Sequence, residues 1–240
     1  MTALSDTANH TNDFQLGALR IMPIALSCIP FGMALGALAV QKGFSPLEIV
    51  LMGMTVFAGA AQFIAVDIWS DTISPLTLVG IVVMVNLRLV LMSISIAPAL
   101  RARKSFATYF VLHFMTDEVW AICMQRRSEK ALSLSFFLGA GLTLFLVWAI
   151  SSYSGAMIGT VMEDPTTYGI DFAGTAVFLT LLCGFWEGCK ISLLPWLIAA
   201  VVAVLAYKLI DGPWYILCGA ISAMVVRAMQ YQEREDAVHV

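Results

Sequence analysis

Seven polar side chains lie inside or at the edge of strongly apolar stretches: Gln62, Asn86, Arg88, His113, Asp117, Glu118 and Glu187. An ionisable group at the centre of a bilayer costs about 2.5–3.5 kcal/mol on insertion scales. A chain that keeps several of them turns them inward, toward one another or toward a polar pathway. Guanidinium, carboxylate, imidazole and amide groups together can hold a charged solute and move a proton. That combination points to transport.

Arg88 and Asn86 sit in VNLRLVLMS, two residues apart. On a regular helix they point to nearly opposite faces. Arg88 is too deep in its segment for easy snorkelling to the Pro98 end, so it needs a counter-charge. Asp117, Glu118 and Glu187 are the candidates, and a bidentate pair is the expected chemistry. Direct contact with a substrate carboxylate is the alternative. In HFMTDEVW, His113 and Asp117 are four residues apart and share a helical face, with Glu118 about 100° away. Buried acids titrate high and histidine titrates near neutrality, so this group could carry or gate a proton, or hold an ammonium. A solvated amphipathic segment is the alternative. Glu187 and Lys190 in FWEGCK are spaced for a local ion pair.

Two backbone features accompany these side chains. In IPFGMALG, Pro30 precedes Gly32. Proline removes a donor and clashes with the preceding turn, which predicts a discontinuous first helix. Its second half would start at Pro30, Phe31 and Gly32 and aim free amides at an anion. A packing face built from Gly32 and Gly36 is the alternative. In AGAAQ, residues 58–62, Gly59 and its small neighbours let a backbone or a ligand approach closely. Gln62 then offers an uncharged donor and acceptor to a zwitterion, or an interhelical hydrogen bond. Pro30, Phe31, Gly32, Gly59, Gln62, Asn86 and Arg88 are therefore the candidate substrate-binding residues. His113, Asp117 and Glu118 are the candidates for proton coupling or ammonium binding.

The elements that position them are helices in a membrane. Apolar residues make up 60% of the 240, charged residues 12%, and mean hydropathy is +0.88. Successive apolar runs approach the roughly 20 residues that cross a bilayer. They are too long and too uniform for barrel strands. The pattern predicts an all-α, polytopic protein with seven to eight transmembrane helices. A polar N-terminal tail covers 1–16, one transmembrane domain 17–230 and a polar C-terminal tail 231–240. The segments are 17–41, 46–69, 74–99, 106–125, 132–152, 171–188, 191–209 and 213–229, with a loop at 153–170.

Lys42, Arg101, Arg103, Lys104, Arg126, Arg127, Lys130, Lys190 and Arg227 mark candidate cytoplasmic ends. The linkers at 70–73 and 153–170, free of Lys and Arg, mark the other face. Basic clusters flank both ends of 106–125. A re-entrant segment there would put both inside, leaving seven spans and an external N-terminus; eight ordinary spans remain open. SPLEIVLMGMTVFAGAAQ and GIDFAGTAVFLTLLCG both follow a break and end in small residues. Either an internal repeat or shared composition accounts for that.

The first 19 residues hold no Lys or Arg, so the first apolar segment reads as retained rather than cleaved. No basic cluster with interleaved aromatics suggests nucleic acid. The sequence contains no GxxxxGK[ST], HExxH or GxSxG motif, which weighs against ATP-driven transport by this chain alone, zinc proteolysis and serine hydrolysis. No catalytic residue, cofactor or metal site is assigned. The five cysteines, Cys28, Cys123, Cys183, Cys189 and Cys218, read as small buried hydrophobes.

IPFGMALGALAVQKGFSPLEI, FAGAAQF, VNLRLVLMSISIAPAL, MTDEVWA and GIDFAGTAVF occur in that order over residues 20–190. In these pieces the chain resembles the AzlC family, the large subunits of bacterial branched-chain amino acid exporters. The resemblance implies efflux of valine, leucine, isoleucine or methionine across the bacterial inner membrane. It also implies a separately encoded small membrane partner of the AzlD type. An embedded enzyme using His113 and Asp117, or an assembly subunit without a pathway, are the competing readings.

Overall fold

The computed structural model describes residues 2–69, 74–100, 110–162, 186–210 and 214–238, with isolated positions at 172, 176, 179, 182 and 183. Every regular element among the described residues is a helix, as backbone polar groups in lipid require. Contacts divide the chain into two compact units, Met1–Val177 and Phe178–Val240.

In the first unit, α1 (Thr2–Ser27) and α2 (Ile29–Gln41) form one interrupted helix, bent by 53°. Pro30 stands in the first turn of α2, where its missing amide costs nothing but its ring stops α1 from continuing. The expected discontinuity is therefore present. The polar stretch 1–16 is continuous with this helix, since α1 begins at Thr2.

This bent pair lies along α7 (Leu134–Val161), backbone against backbone. A Cβ on Gly17 would overlap the Phe136 carbonyl, and one on Gly139 the Phe14 carbonyl. Further along, Gly32 abuts Ser151, Gly36 abuts Ser152 and Ala156, and Gly155 abuts Met33. Both partners rise in number together, so the bent pair and α7 run parallel. The Gly32–Gly36 packing face is thus realised. α7 also continues to Val161, through part of the stretch expected as loop.

Residues 46–69 do not form one span. Ser45 and Glu48 make a capping box that starts α3 (Pro46–Thr55), and α4 (Gly59–Asp67) follows an extended break. Were the two collinear, Pro46 and Asp67 would lie about 31 Å apart at 1.5 Å per residue. Instead Lys42 Nζ donates to the Asp67 carbonyl at 2.8 Å, and the Phe44 and Trp69 rings sit 4.9 Å apart. The chain turns back at Val56–Ala58, whose extended dihedrals end the α-helical ladder. α3 and α4 are arms of a hairpin whose tip points into the unit.

α5 (Pro75–Leu100) is a continuous helix. Leu76, Val79, Val83, Leu87, Val90, Leu91 and Ile94 form an exposed apolar stripe on it. The expected segment 106–125 is again broken. Residues 110–112 are helical, 113–116 are not, and Thr116 caps α6 (Asp117–Glu129) by accepting the Val119 amide at 3.3 Å. Arg88 meets Asp117 and Ser95 meets Trp120, so α6 runs in the same direction as α5. Leu100 is about 18 Å beyond Arg88 along α5, yet by Asp117 the chain is level with Arg88 again. That is the return geometry a re-entrant segment requires.

The C-terminal end of α6 joins the middle of α1. Arg20 pairs with Glu129 at 2.7 Å and Arg126 with Asp13 at 3.4 Å. The hydrogen bond from Arg20 holds the Glu129 carboxyl below the usual carboxylate range. Arg126, Arg127 and Lys130 therefore lie level with Asp13–Arg20 of α1 at one end of the unit, and Lys42 lies at the other. This corrects the grouping of Lys42 with those clusters.

In the second unit, α8 (Cys189–Leu209) and α9 (Trp214–Val238) pair closely, with Gly219 against Ala203 and Tyr207 edge-on to Tyr215. Gly188, at φ 96°, opens α8 in a conformation that L side chains rarely adopt. Glu187 pairs with Arg227 at 2.6 Å rather than with Lys190. Of the five cysteines, Cys123 is buried, Cys28 and Cys218 are half-buried, and Cys183 and Cys189 are exposed, which corrects the uniform burial expected.

Among the described residues three helices are long and apolar enough to cross a membrane, or four if the bent pair counts as one. The linker 70–73, the cluster 101–104, residues 163–170, most of 171–188 and the GIDFAGTAVF half of the echo lie outside the described residues.

Two outcomes follow from this architecture. Gly36→Ala should lower thermal stability in detergent, by about 1–3 kcal/mol or more for overpacking against backbone. Gly80→Ala, with nothing within 4 Å of its Cβ position, should not. A thermal-shift assay on both variants reads the difference. Cysteines introduced at Ser45 and Ser74 should react with an impermeant thiol reagent from the same side of the membrane, and one at Ser128 from the opposite side. Labelling of Ser45 and Ser74 from opposite sides would restore a straight span.

Candidate functional site

Three helix interruptions meet the middle of α7. Its residues 141, 145, 148 and 152 recur at helical spacing and form a stripe beside the glycine-packed one. Gly141 faces Phe114, next to the α6 break. The Phe145 ring lies edge-on to Phe57, at the α3–α4 tip, at 5.2 Å, and edge-on to Phe114 at 5.3 Å. The Trp148 indole covers Gly59, the first residue of α4. Ser151 abuts Gly32, just past the α1–α2 break. From 141 to 151 is about 15 Å of helix.

α2, α4 and α6 all begin at these breaks, so the positive ends of their dipoles face the middle of the unit. Thr116 caps α6, while Cys28 and Ala58 make no side-chain cap to α2 or α4. The sequence accounts for the difference, since neither alanine nor cysteine carries the oxygen that a good cap needs. Asp117 and Glu118 occupy the first turn of α6, where the dipole favours negative charge.

Gln62 is 2% exposed and accepts from Trp148 Nε1 at 2.9 Å. Its Nε2 is buried and without a partner among the described residues, as is the hydroxyl of Ser152, one turn beyond Trp148. Arg88 Nη1 meets Asp117 Oδ2 at 2.7 Å, with the two side chains 34% and 25% exposed. Arg88 Nε, Asp117 Oδ1 and Asn86 Oδ1 are also buried and without a partner. A buried polar group left unpaired costs about 1–3 kcal/mol. Native proteins carry few such groups, and those few call for an explanation. Apart from Asn86, which faces the other way on α5, four such atoms on four neighbouring elements fit a place where a polar solute or water enters.

Of the candidate residues, Gly59 and Gln62 lie at the α4 start and Arg88 and Asp117 pair across α5 and α6. Of the possible counter-charges for Arg88, the structure selects Asp117. Glu118 lies within coulombic reach of the Cys28 thiol, at the α2 start. Pro30 and Phe31 stand in the first turn of α2 as expected, Pro30 exposed and Phe31 half-buried. Gly32 is occupied by its contact with Ser151. Asn86 stays on the uninterrupted α5, away from the Arg88 face. His113 does not share a helix with Asp117, because the break at 113–116 separates them. Its ring packs instead on Phe114 and Phe145, at 5.4 and 6.5 Å.

Sequence reasoning passed over Phe57, Phe114, Phe145, Trp148 and Ser152. Trp148 and the Ser151–Ser152 pair stand at the end of the segment 132–152 in the sequence, and only the helix's continuation to Val161 puts them near its middle. The aromatic cluster carries no mark in a chain with 14 phenylalanines.

Residues 23–162 match the AzlC protein family. An uncharacterized membrane protein of Archaeoglobus fulgidus is 32% identical over 171 residues, 70% of this chain and 74% of that one. Inner membrane protein YgaZ of Escherichia coli is 26% identical, over 88% of this chain and 90% of its own. Branched-chain amino acid transport protein AzlC of Bacillus subtilis is 25% identical, over 69% and 65%. No solved structure matches the chain.

Removing one member of the Arg88–Asp117 pair leaves a half-buried charge, while removing both does not. Arg88→Ala should therefore reduce folded yield more than Arg88→Ala combined with Asp117→Ala. Fluorescence-detected size exclusion of the single and double variants measures this, and strictly additive losses would mean that the pair is not coupled.

Proposed function

The chain belongs to the AzlC protein family, and from that premise we propose that it is a secondary transporter exporting branched-chain and similar hydrophobic amino acids. The observation that carries the reading is the Arg88–Asp117 pair, set beside helix starts and unpaired buried polar groups. An amino acid is a zwitterion with an apolar side chain. Its carboxylate can take the place of Asp117 on Arg88, and its ammonium the place of Arg88 on Asp117. Exchange of one ion pair for two avoids leaving either charge unpaired, so entry of the zwitterion does not carry the full desolvation penalty.

Toward the Lys42 end, the uncapped amides at the starts of α2 and α4 and the Gln62 amide nitrogen supply a second set of donors that the carboxylate meets further along its path. Phe57, Phe114, Phe145 and Trp148 supply apolar surface for the side chain. Asp117 or Glu118 takes the coupling proton, with the proton-motive force as the energy source, and His113 lies at the same break. The end carrying Arg126, Arg127 and Lys130 is cytoplasmic by the positive-inside rule. The α1 start then faces the cytoplasm as well. The location is the bacterial inner membrane, in a multi-pass arrangement with a small AzlD-type membrane subunit.

Proteoliposomes carrying the chain, with and without such a subunit, should release preloaded labelled valine or leucine chemically unchanged. Gln62→Ala, Arg88→Ala and Asp117→Asn should each lower release at least about tenfold, the effect of losing about 1.4 kcal/mol at the site. Unchanged release in all three at equal protein would remove the assigned roles. No release of any amino acid, with the subunit present, would remove the transporter reading.

A further inference from the structure

The α3–α4 hairpin enters the unit from the Lys42 end, and the 110–129 hairpin enters from the Arg126 end. Their tips reach the same residue of α7. Phe57 and Phe114 each stand within three residues of the start of α4 or α6, and each is 6% exposed. Both meet the Phe145 ring edge-on, and the His113 ring lies beside it. On one side of this contact are the start of α4 and Gln62; on the other are the start of α6 and Asp117.

We propose that Phe145, clamped between Phe57 and Phe114, is the barrier separating the two halves of the pathway, and that its bulk limits the side chain that passes. This rests on the transporter reading above. Edge-on aromatic contacts add only modestly to what area burial supplies. Two such contacts hold the tips together yet can be broken by an entering solute. The barrier is apolar and dehydrated, so it blocks ions and water, while a hydrophobic side chain can replace one ring contact by another. Because the rings come from separate hairpins, either tip can withdraw while the other stays on Phe145.

Two measurements test this. In proteoliposomes, Phe145→Ala should shift preference toward a larger substrate, raising the phenylalanine-to-valine release ratio by about tenfold, the lower range for a changed hydrophobic contact. Phe145→Leu should give a smaller shift in the same direction and serves if the alanine variant does not fold. An unchanged ratio, with total release falling only as protein abundance falls, would make Phe145 a packing residue and overturn the inference. The second measurement needs no transport. With the native cysteines replaced, Phe57→Cys should react with an impermeant thiol reagent only from the Lys42 side, and Phe114→Cys only from the Arg126 side. Adding Phe145→Ala or Phe145→Leu should let each react from both sides. Two-sided reaction with Phe145 intact, or one-sided reaction without it, would also overturn the barrier. If no amino acid is released by the wild-type chain, the transporter reading fails on that result, and labelling alone still decides whether the barrier exists.

Discussion

Contact between the backbones of α1–α2 and α7 leaves no room for a Cβ at Gly17, Gly36, Gly139 or Gly155. Lipid supplies little hydrophobic force between helices, so their association depends on close van der Waals packing at small residues. This one seam fixes α7 as a rail running parallel to the bent first helix. Everything at the centre of the unit is placed relative to that rail. The stripe of α7 adjacent to the seam receives the hairpin tips, and a shift of one turn along the rail would separate Phe145 from Phe57 and Trp148 from Gln62.

Interrupted helices are costly in a membrane because each break leaves backbone groups without intrahelical partners. Such breaks persist only where protein or a water-filled cavity surrounds them. Here the breaks at Cys28, Val56–Ala58 and His113–Thr116 all face α7 rather than the exposed stripe of α5. Collecting them places several positive helix ends in one region. The acids in the first turn of α6 offset part of that potential, and Arg88 restores a local balance with Asp117. The result is a nearly neutral, strongly dipolar centre, which suits a zwitterion better than a simple ion.

The unpaired atoms of Gln62, Arg88, Asp117 and Ser152 sharpen this picture. Leftover atoms also occur on Arg20 and Arg126, in the ion pairs that join α6 to α1, so what sets the central ones apart is their gathering beside the helix breaks. Gln62 is divided within one side chain, since its oxygen is committed to Trp148 and its nitrogen is not. The committed half orients the amide, and its nitrogen is left without a partner among the described residues. The same division holds at Arg88, where one nitrogen meets Asp117 and Nε is left over.

Composition and run length were enough to establish an all-helical membrane protein, because lipid tolerates few alternatives. Pro30 was enough to establish the first discontinuity, because the ring acts locally. The depth of Arg88 demanded a counter-charge but left three acids equal, and only the direction of α6 chose Asp117. Nothing local marked Val56–Ala58 as a turn; an apolar stretch of 24 residues, 46–69, reads as a span unless the fold returns its end to Lys42. His113 and Asp117 share a face only if the helix is continuous, and tertiary contacts decided that it is not. Residue type and spacing thus determined which groups must be hidden from lipid. Which of them meet depended on where chain breaks fall against α7, and that is a property of contacts between segments far apart in the chain.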